Sequence, residues 1–382
     1  MNTLTRLSGQ LEIIKSDKWL LSALTWIPLV VAFIIWAVFA QGLARDLKIG
    51  IVDLDNTAFS HQLIRHYDAS PSLKITASYP DTLSASQALT SGDIYGYVVI
   101  PRNSFKQTAL NQPPQVSAFV NTQYILIGRL INSALLQAQG TFNAKVEAGK
   151  ALAKGDTTSS QALGSALPSR SQITPLFNSN TNYSQFLLGT VVPAIWQITI
   201  VVGTVMVLAA NLRLRGATQW LGQSPVRRVM SSLAPYFPVF MLQGLGMLVW
   251  FYLGLKWPFH GNVAVLFIAQ VLMVLACMIM GSLFFFISLD ATRAMSFAGA
   301  FTAPSFAFMG ITFPVTEMNQ WAQAWRSMLP VSHYIEAHVY QSNYGASFLD
   351  TLNELVPMLG YLIPFVMLLI LIKKKSKQVV LR

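Results

Sequence analysis

The chain has 382 residues, of which 53% are hydrophobic and only 11% charged. Soluble domains carry about a quarter charged residues, so this balance points to lipid as the solvent. The net charge of +11 is placed to orient a membrane protein rather than to hold nucleic acid, and the single cysteine, Cys277, cannot form an intramolecular disulfide.

The chain opens with Met1 to Lys18, which lacks the short apolar core and small-residue cleavage site of a secretory signal. Within it, Leu4, Leu7, Leu11 and Ile14 share one helical side, so residues 1–19 read as an amphipathic helix on the inner membrane face. A crossing helix needs about 20 mostly apolar residues. Six stretches qualify: Leu20–Gln41, Phe186–Ala210, Met230–Leu255, Val263–Leu289, Ala294–Phe313 and Leu355–Ile372. Pro235, Pro238 and Pro304 fall inside these stretches, where neighbouring helices can take up the carbonyls that proline frees. The fifth stretch is rich in small residues suited to close helix packing.

Between the first two stretches lies a polar segment, residues 43–185, too long for a loop and read as a domain with a connector. Strands are expected at Leu47–Val52, Leu73–Ser78, Tyr95–Ile100 and Val116–Val120. Helices are expected at Ala58–Asp68, Leu83–Ser91, Ser104–Leu110 and from Gln123 to Lys150. Residues 155–182, rich in Ser, Thr, Gly and Asn, read as a flexible return to the membrane. Further on, a cytosolic loop spans residues 211–229. After the fifth stretch, Pro314 to Asp350 carries Trp321, Trp325, Tyr334, Tyr340 and Tyr344, which favour a membrane interface and suggest two short outer helices broken near Pro330. A basic tail, residues 373–382, ends the chain.

Orientation follows from Lys and Arg in the short loops. With six spans both termini share one side. That side holds half of the 26 basic residues but only Glu12, Asp17 and Asp290 of the 15 acids, and is therefore the cytosol. The expected class is a membrane α-helical protein: six transmembrane helices with an inserted extracytoplasmic α/β domain, multi-pass in a bacterial inner membrane, both termini cytosolic.

Three stretches carry a resemblance. Leu214 to Pro225 reads LRGATQWLGQSP; Phe308–Pro314 through Glu317 and Met318 is followed by Met328 to Glu336; and Ile49–Thr57 is followed by Gly96–Pro101. In order and spacing they resemble type-2 ABC transporter permeases, in the subfamily with a large external domain between the first and second spans. The resemblance implies that Arg215, Gly216, Thr218, Leu221, Ser224 and Pro225 belong to a coupling helix seated on a separate ATPase. It implies that Gly310, Pro314, Glu317, Met318 and Pro330 belong to an outer gate of re-entrant helices. It further implies a homodimer or a sister permease, cytosolic ABC ATPase subunits holding ATP and Mg, and export of an amphipathic or hydrophobic compound such as a drug or lipid. A periplasmic adaptor could meet the external domain. No cofactor is expected on this chain, which contains no Walker A sequence, so hydrolysis must lie on another polypeptide.

Two other readings were open to the residues. A membrane-anchored sensor or receptor would use the external domain to bind a ligand, but five further spans exceed what an anchor needs. Asp53-Leu54-Asp55-Asn56-Thr57 is similar to the first motif of haloacid-dehalogenase-type phosphatases, yet later strand ends offer no paired acids, and a strand end followed by a helix cap suffices. His61, His66, His260, His333 and His338 are scattered, without metal-ligand spacing. Gln197, Gln243 and Gln270 lie within spans and read as helix–helix hydrogen bonds.

Overall fold

A computed structural model describes residues 3–42, 44–153, 155, 158–166, 176–178, 182–311 and 313–380. The chain divides into two compact units, one formed by Met1–Gly42 with Pro175–Arg382 and the other by Leu43–Thr174. The connector expected over 155–182, and Thr312, lie largely outside the described residues, as do the side chains of Leu4 and Leu7.

The first unit begins with α1 (Thr3–Ser16). Its inward residues differ from the expected apolar stripe. Leu11 is exposed, whereas Ile13 and the polar Gln10 are buried. Gln10 earns its place by an amide pair. Its Nε2 donates to Asn211 Oδ1 at 3.0 Å, and Asn211 Nδ2 donates back to Gln10 Oε1 at 3.2 Å. The Tyr236 hydroxyl adds a second donor to the same oxygen at 3.3 Å. The first apolar stretch is then two helices, α2 (Lys18–Leu24) and α3 (Trp26–Phe39), bent by 45° at Thr25. Pro28 explains the bend, because its ring excludes the carbonyl four residues back, that of Leu24. The freed carbonyl is accepted by another helix: Gln243 Nε2 donates to Leu24 O at 2.7 Å.

The second unit is an α/β layer built on β1 (Leu47–Asp53), α4 (Ala58–Asp68), β2 (Leu73–Ser78), α5 (Thr82–Ser91), β3 (Gly96–Ile100), α6 (Ser104–Ala109), β4 (Ser117–Val120), α7 (Ile125–Ala153) and α8 (Ser159–Ala166). The sheet runs β2-β1-β3-β4. The first three strands are parallel and β4 is antiparallel to β3. As the period of two requires, β1 sends Ile49 and Ile51 to a core with Leu63, Tyr67, Ile131 and Phe142 of α4 and α7. Its Val52 packs oppositely with Ala85 and Ala88 of α5. A strand buried on both faces is expected to be largely apolar, and β1 is so from Ile49 to Val52.

The first unit resumes with α9 (Tyr183–Arg215), α10 (Ala217–Leu221), α11 (Pro225–Leu233), α12 (Phe237–Val249), α13 (Val263–Ser288), α14 (Ala291–Thr302), α15 (Ser305–Phe308), α16 (Gln320–Ser327), α17 (Pro330–Val339), α18 (Phe348–Leu355) and α19 (Leu362–Val380). Pro235 and Pro238 start a 3₁₀ turn and α12, bending the third stretch, which closes in a π-turn at Trp250–Gly254. The bundle centres on α9 and α13. Gly281 of α13 lies so close to α9 that an added Cβ would sit 2.6 Å from Val201 O. Only glycine permits that approach.

Four helical segments are long and apolar enough to cross a bilayer, Tyr183–Arg215, Pro225–Gly254, Val263–Ser288 and Phe348–Gln378, and the bent α2–α3 pair makes a fifth. The protein is thus mostly helical, with four to five candidate spans among the described residues. The fifth expected stretch, Ala294–Phe313, is not one helix. Its first part, α14, has 12 residues, a rise of about 18 Å against a hydrocarbon core of about 30 Å. Pro304 then interrupts the chain and α15 adds one turn.

The Pro28–Gln243 relationship gives a double-mutant test. Gln243→Leu strands the Leu24 carbonyl and should cost about 1–3 kcal/mol, read as a lower melting temperature of the detergent-purified protein. Pro28→Ala restores an N–H for that carbonyl, so the double variant should recover most of the loss. Equal losses from Gln243→Leu in both backgrounds would refute the explanation of the bend.

Candidate coupling loop and outer helices

The loop between α9 and α11 is a short helix clamped from inside. Gly216 leaves α9 at φ +74°, and the five residues of α10 follow. Trp220 and Leu221 are fully buried. The Trp220 indole donates from Nε1 to Ser232 Oγ at 3.1 Å and lies against Phe285 and Phe286 of α13. The Leu221 carbonyl accepts from Ser376 Oγ of α19 at 2.6 Å. The Arg228 guanidinium donates to the Gln219 carbonyl, closing α10 onto α11. Three helices therefore hold one turn of chain.

Its opposite face is open. Gly216, Thr218, Gln219, Gln223, Ser224, Arg227 and Arg228 are exposed. Ser224 adopts φ +63° immediately before Pro225, a region disfavoured for a residue preceding proline. Pro225 then occupies the first turn of α11, where a missing N–H costs nothing. Of the residues singled out in this loop, Gly216, Thr218 and Ser224 lie on the open face. Leu221 faces inward as an anchor, and Arg215 and Pro225 are half-buried at the loop's two ends. Trp220, Ser232 and Ser376 form the clamp and were not singled out by sequence. A tryptophan between polar residues in a basic loop was the available signal.

At the loop's base, Arg213 Nη2 pairs with Asp17 Oδ2 at 2.6 Å. Asp17 also caps α2 by accepting the Leu20 N–H at 3.1 Å. Burial pushes the Asp17 pKa up, but the Leu20 N–H and the Arg213 guanidinium outweigh it, leaving the carboxyl below its ordinary value.

The other singled-out group lies after α15. Gly310 sits at φ +84°, and a Cβ there would come within 2.7 Å of Val315 Cγ2 and 3.2 Å of Arg326 Nε. Both the conformation and the space demand glycine. Pro314 starts the 3₁₀ turn Val315–Glu317, Met318 is buried, and Pro330 opens α17. Glu317 lies in that turn with no ion pair among the described residues. The acid that matters here is Glu336, whose Oε2 accepts from Arg326 Nη2 at 2.5 Å. Arg326 is buried, and its Nε has no partner among the described residues.

Buried polar side chains tie these elements to the bundle. Gln197 of α9 donates from Nε2 to Ser305 Oγ at 2.7 Å and accepts the Val331 N–H at 2.9 Å. Gln270 Nε2 donates to Tyr334 Oη at 3.2 Å. Pro193 lies inside α9, where its ring excludes the carbonyl of Gly189. His338 of α17 packs beside Gly189, and its Nε2 lies 2.6 Å from the Tyr252 hydroxyl. All three glutamines thus join helices.

In the α/β unit, the Asp-x-Asp-x-Thr stretch is a structural turn. Asp53 Oδ1 accepts the N–H groups of Asp55 and Asn56, and its Oδ2 accepts from Ser60 Oγ at 2.7 Å. Thr57 caps α4 in a capping box with Ser60. Asp55 Oδ1 accepts the Ser104 N–H at 2.9 Å, capping α6 from 49 residues away. Both carboxylates are occupied by these bonds, and no cluster of three or more metal-ligating side chains occurs among the described residues.

The assembly of long apolar helices, proline breaks and buried amide links defines a polytopic helical membrane protein. Residues 18–372 match the family described as ABC-2 family transporter protein. The chain belongs to that family of transporter permeases, which are membrane subunits rather than enzymes and whose membership implies partnership with ABC ATPase subunits. No curated protein and no solved structure matches it.

Asp17→Asn keeps a good helix cap and removes the charge. A carboxyl whose folded pKa is depressed contributes stability above its unfolded value, and loses it as pH falls through the folded value. Asp17→Asn should therefore be less stable than the parent by about 0.5–1 kcal/mol at pH 7. The two melting curves should begin to converge as pH falls through about 3.8, Asp17's ordinary value, and meet below its depressed folded value. A gap that persists there would show that the ion pair is not the cause.

Proposed function

We propose that this chain is the membrane permease of an ATP-driven exporter, energised by a separate ATPase through the loop 216–225. In this reading the bent α2–α3 pair, α9, α11–α12, α13, the broken α14–α15 segment and the last helix pass the membrane six times. Both termini and the loop lie in the cytosol of a bacterial inner membrane, and the unit 43–174 lies outside. The protein works as a homodimer or with a sister permease, ATP and Mg are held by the partner ATPase, and a periplasmic adaptor meets the external unit. The cargo is an amphipathic or hydrophobic compound, drug or lipid-like.

One observation carries the coupling role: α10 has an exposed polar face and a buried face fixed to three different helices. A partner pressing on Thr218, Gln219 and Ser224 meets a rigid turn. That turn passes displacement to α13 through Trp220, to α11 through Ser232 and to α19 through Ser376. A flexible loop would absorb the same push. The depletion of acids around Arg213, Arg215, Arg227 and Arg228 agrees with a cytosolic location. Beyond the membrane, Gly310, Pro314, Glu317, Met318 and Pro330 form the outer gate in this reading. Gln197 holds that gate to α9 through Ser305 and Val331.

The test separates the two faces of α10. Trp220→Ala empties a buried site and should cost about 3–5 kcal/mol of stability. Thr218→Arg and Ser224→Arg, on the open face, should leave the melting temperature nearly unchanged. They should nonetheless abolish co-purification with the ATPase and transport by the reconstituted complex, as should a flexible linker in place of Gly216–Pro225, with membrane insertion retained. Full transport by the linker variant would refute the assignment.

A further inference from the structure

Between the first turns of α9, the π-turn Trp250–Gly254 with the chain after it, and the end of α17 with the π-turn Tyr340–Tyr344, there is a cavity of about 300 Å³. It has the volume of about ten liquid waters and sits at the small end of ligand sites.

Its lining combines two chemistries. Phe186, Tyr252, Trp257 and Tyr344 supply aromatic surface. Gln185, Thr190, Ser342 and Asn343 supply amides and hydroxyls. The described lining contains no Asp, Glu, Lys or Arg. Its one histidine, His338, is already committed to Tyr252. Several polar groups are engaged locally: Thr190 Oγ1 donates to Leu187 O, and Ser342 Oγ to Asn343 Oδ1. The side-chain amide of Gln185 and the Asn343 NH₂ have no protein partner among the described residues, and both residues are half-buried.

We propose that this cavity binds an uncharged, polyhydroxylated ring of about one sugar's size, such as a glycoside headgroup. A charged headgroup would be taken from water with no counter-charge to meet it, which is strongly unfavourable. A purely apolar ligand would leave the free amides without water or partner. Hydroxyls both donate and accept, as the Gln185 and Asn343 amides do. The C–H faces of a sugar ring lie well on aromatic surfaces, whose faces are electron-rich. The cavity wall includes the turn of α9 before Pro193 and His338 packed beside it, so its shape is tied to the packing of α17 on α9. The proposal names a ligand class for the permease and rests on the permease reading only for where such a ligand comes from, since binding needs no ATPase.

The experiment uses the full chain in phospholipid nanodiscs free of glycolipid. The probe is a diazirine-bearing octyl glucoside, compared with a quaternary-ammonium and a sulfate probe on the same alkyl chain. The glucoside should label peptides containing Tyr252–Pro258 or Ser342–Tyr344, about tenfold above the charged probes. Gln185→Leu removes a free amide with little change of shape and should lower labelling about fivefold, the loss of one neutral hydrogen bond. Trp257→Ala should do the same, and melting curves confirm that both variants fold. Competition by free methyl glucoside as well as by octyl glucoside supports a soluble sugar ligand; competition by octyl glucoside alone supports a glycolipid headgroup. Equal labelling by the charged probes, labelling confined to other peptides, or undiminished labelling of folded Gln185→Leu overturns the proposal. Labelling with loss of ATPase coupling in the Ser224→Arg protein keeps the cavity and the coupling loop separate, whichever of them fails.

Discussion

In hydrocarbon a backbone carbonyl released from its helix finds no water, so another helix must accept it. That constraint organises the helical unit. Pro28 releases Leu24, and Gln243 answers from α12. Pro193 excludes the Gly189 carbonyl within α9, and His338 packs beside that turn from α17. Each such turn also makes a tertiary contact, so the prolines fix which helices are neighbours. Gln197 extends the rule to a helix start: its carbonyl oxygen takes the Val331 N–H at the beginning of α17, a donor that no preceding turn can satisfy.

Local signals made much of the fold legible. Ala58–Asp68 and Leu73–Ser78 coincide with α4 and β2, because each is bounded by strong caps or turns and each has a clean period. The apolar lengths located the long helices but not their internal breaks. Length averages over a proline, so the first stretch read as one span despite Pro28 and the fifth despite Pro304. Nonlocal partners were out of reach. The stripe of Leu4, Leu7, Leu11 and Ile14 gave no sign that Gln10 is buried, because its amide partner Asn211 lies 201 residues away. Asp55 read as a local turn residue, yet its carboxylate serves Ser104 on another helix.

The loop between α9 and α11 shows the same division. Its presence followed from basic residues and from the order of Gly216, Ser224 and Pro225. The facing of its residues did not, because five residues of helix are too few for a period to declare a buried side. Leu221 proved an anchor, and the residue that seats the turn is its neighbour Trp220. Burial of an indole whose Nε1 needs an acceptor had to await Ser232, 12 residues on. After α15, Gly310 was legible as special, but its second reason, the Val315 side chain and Arg326 guanidinium against it, depends on the fold.

Helix α9 joins these parts physically. Its 33 residues rise about 50 Å, from Gly216 at the proposed coupling loop to Tyr183 beside the cavity. The helix is anchored along its length at Asn211 by Gln10, at Val201 by the close approach of Gly281, at Gln197 by Ser305 and Val331, and at Gly189 by the packing of His338. A tilt imposed at one end of such a rod cannot dissipate in a loop; it must be met at these anchors. One of them lies beside Pro193, where the helix lacks a backbone hydrogen bond. Motion delivered through α10 would therefore concentrate there, at the wall of the cavity that we assign to a sugar-like ring.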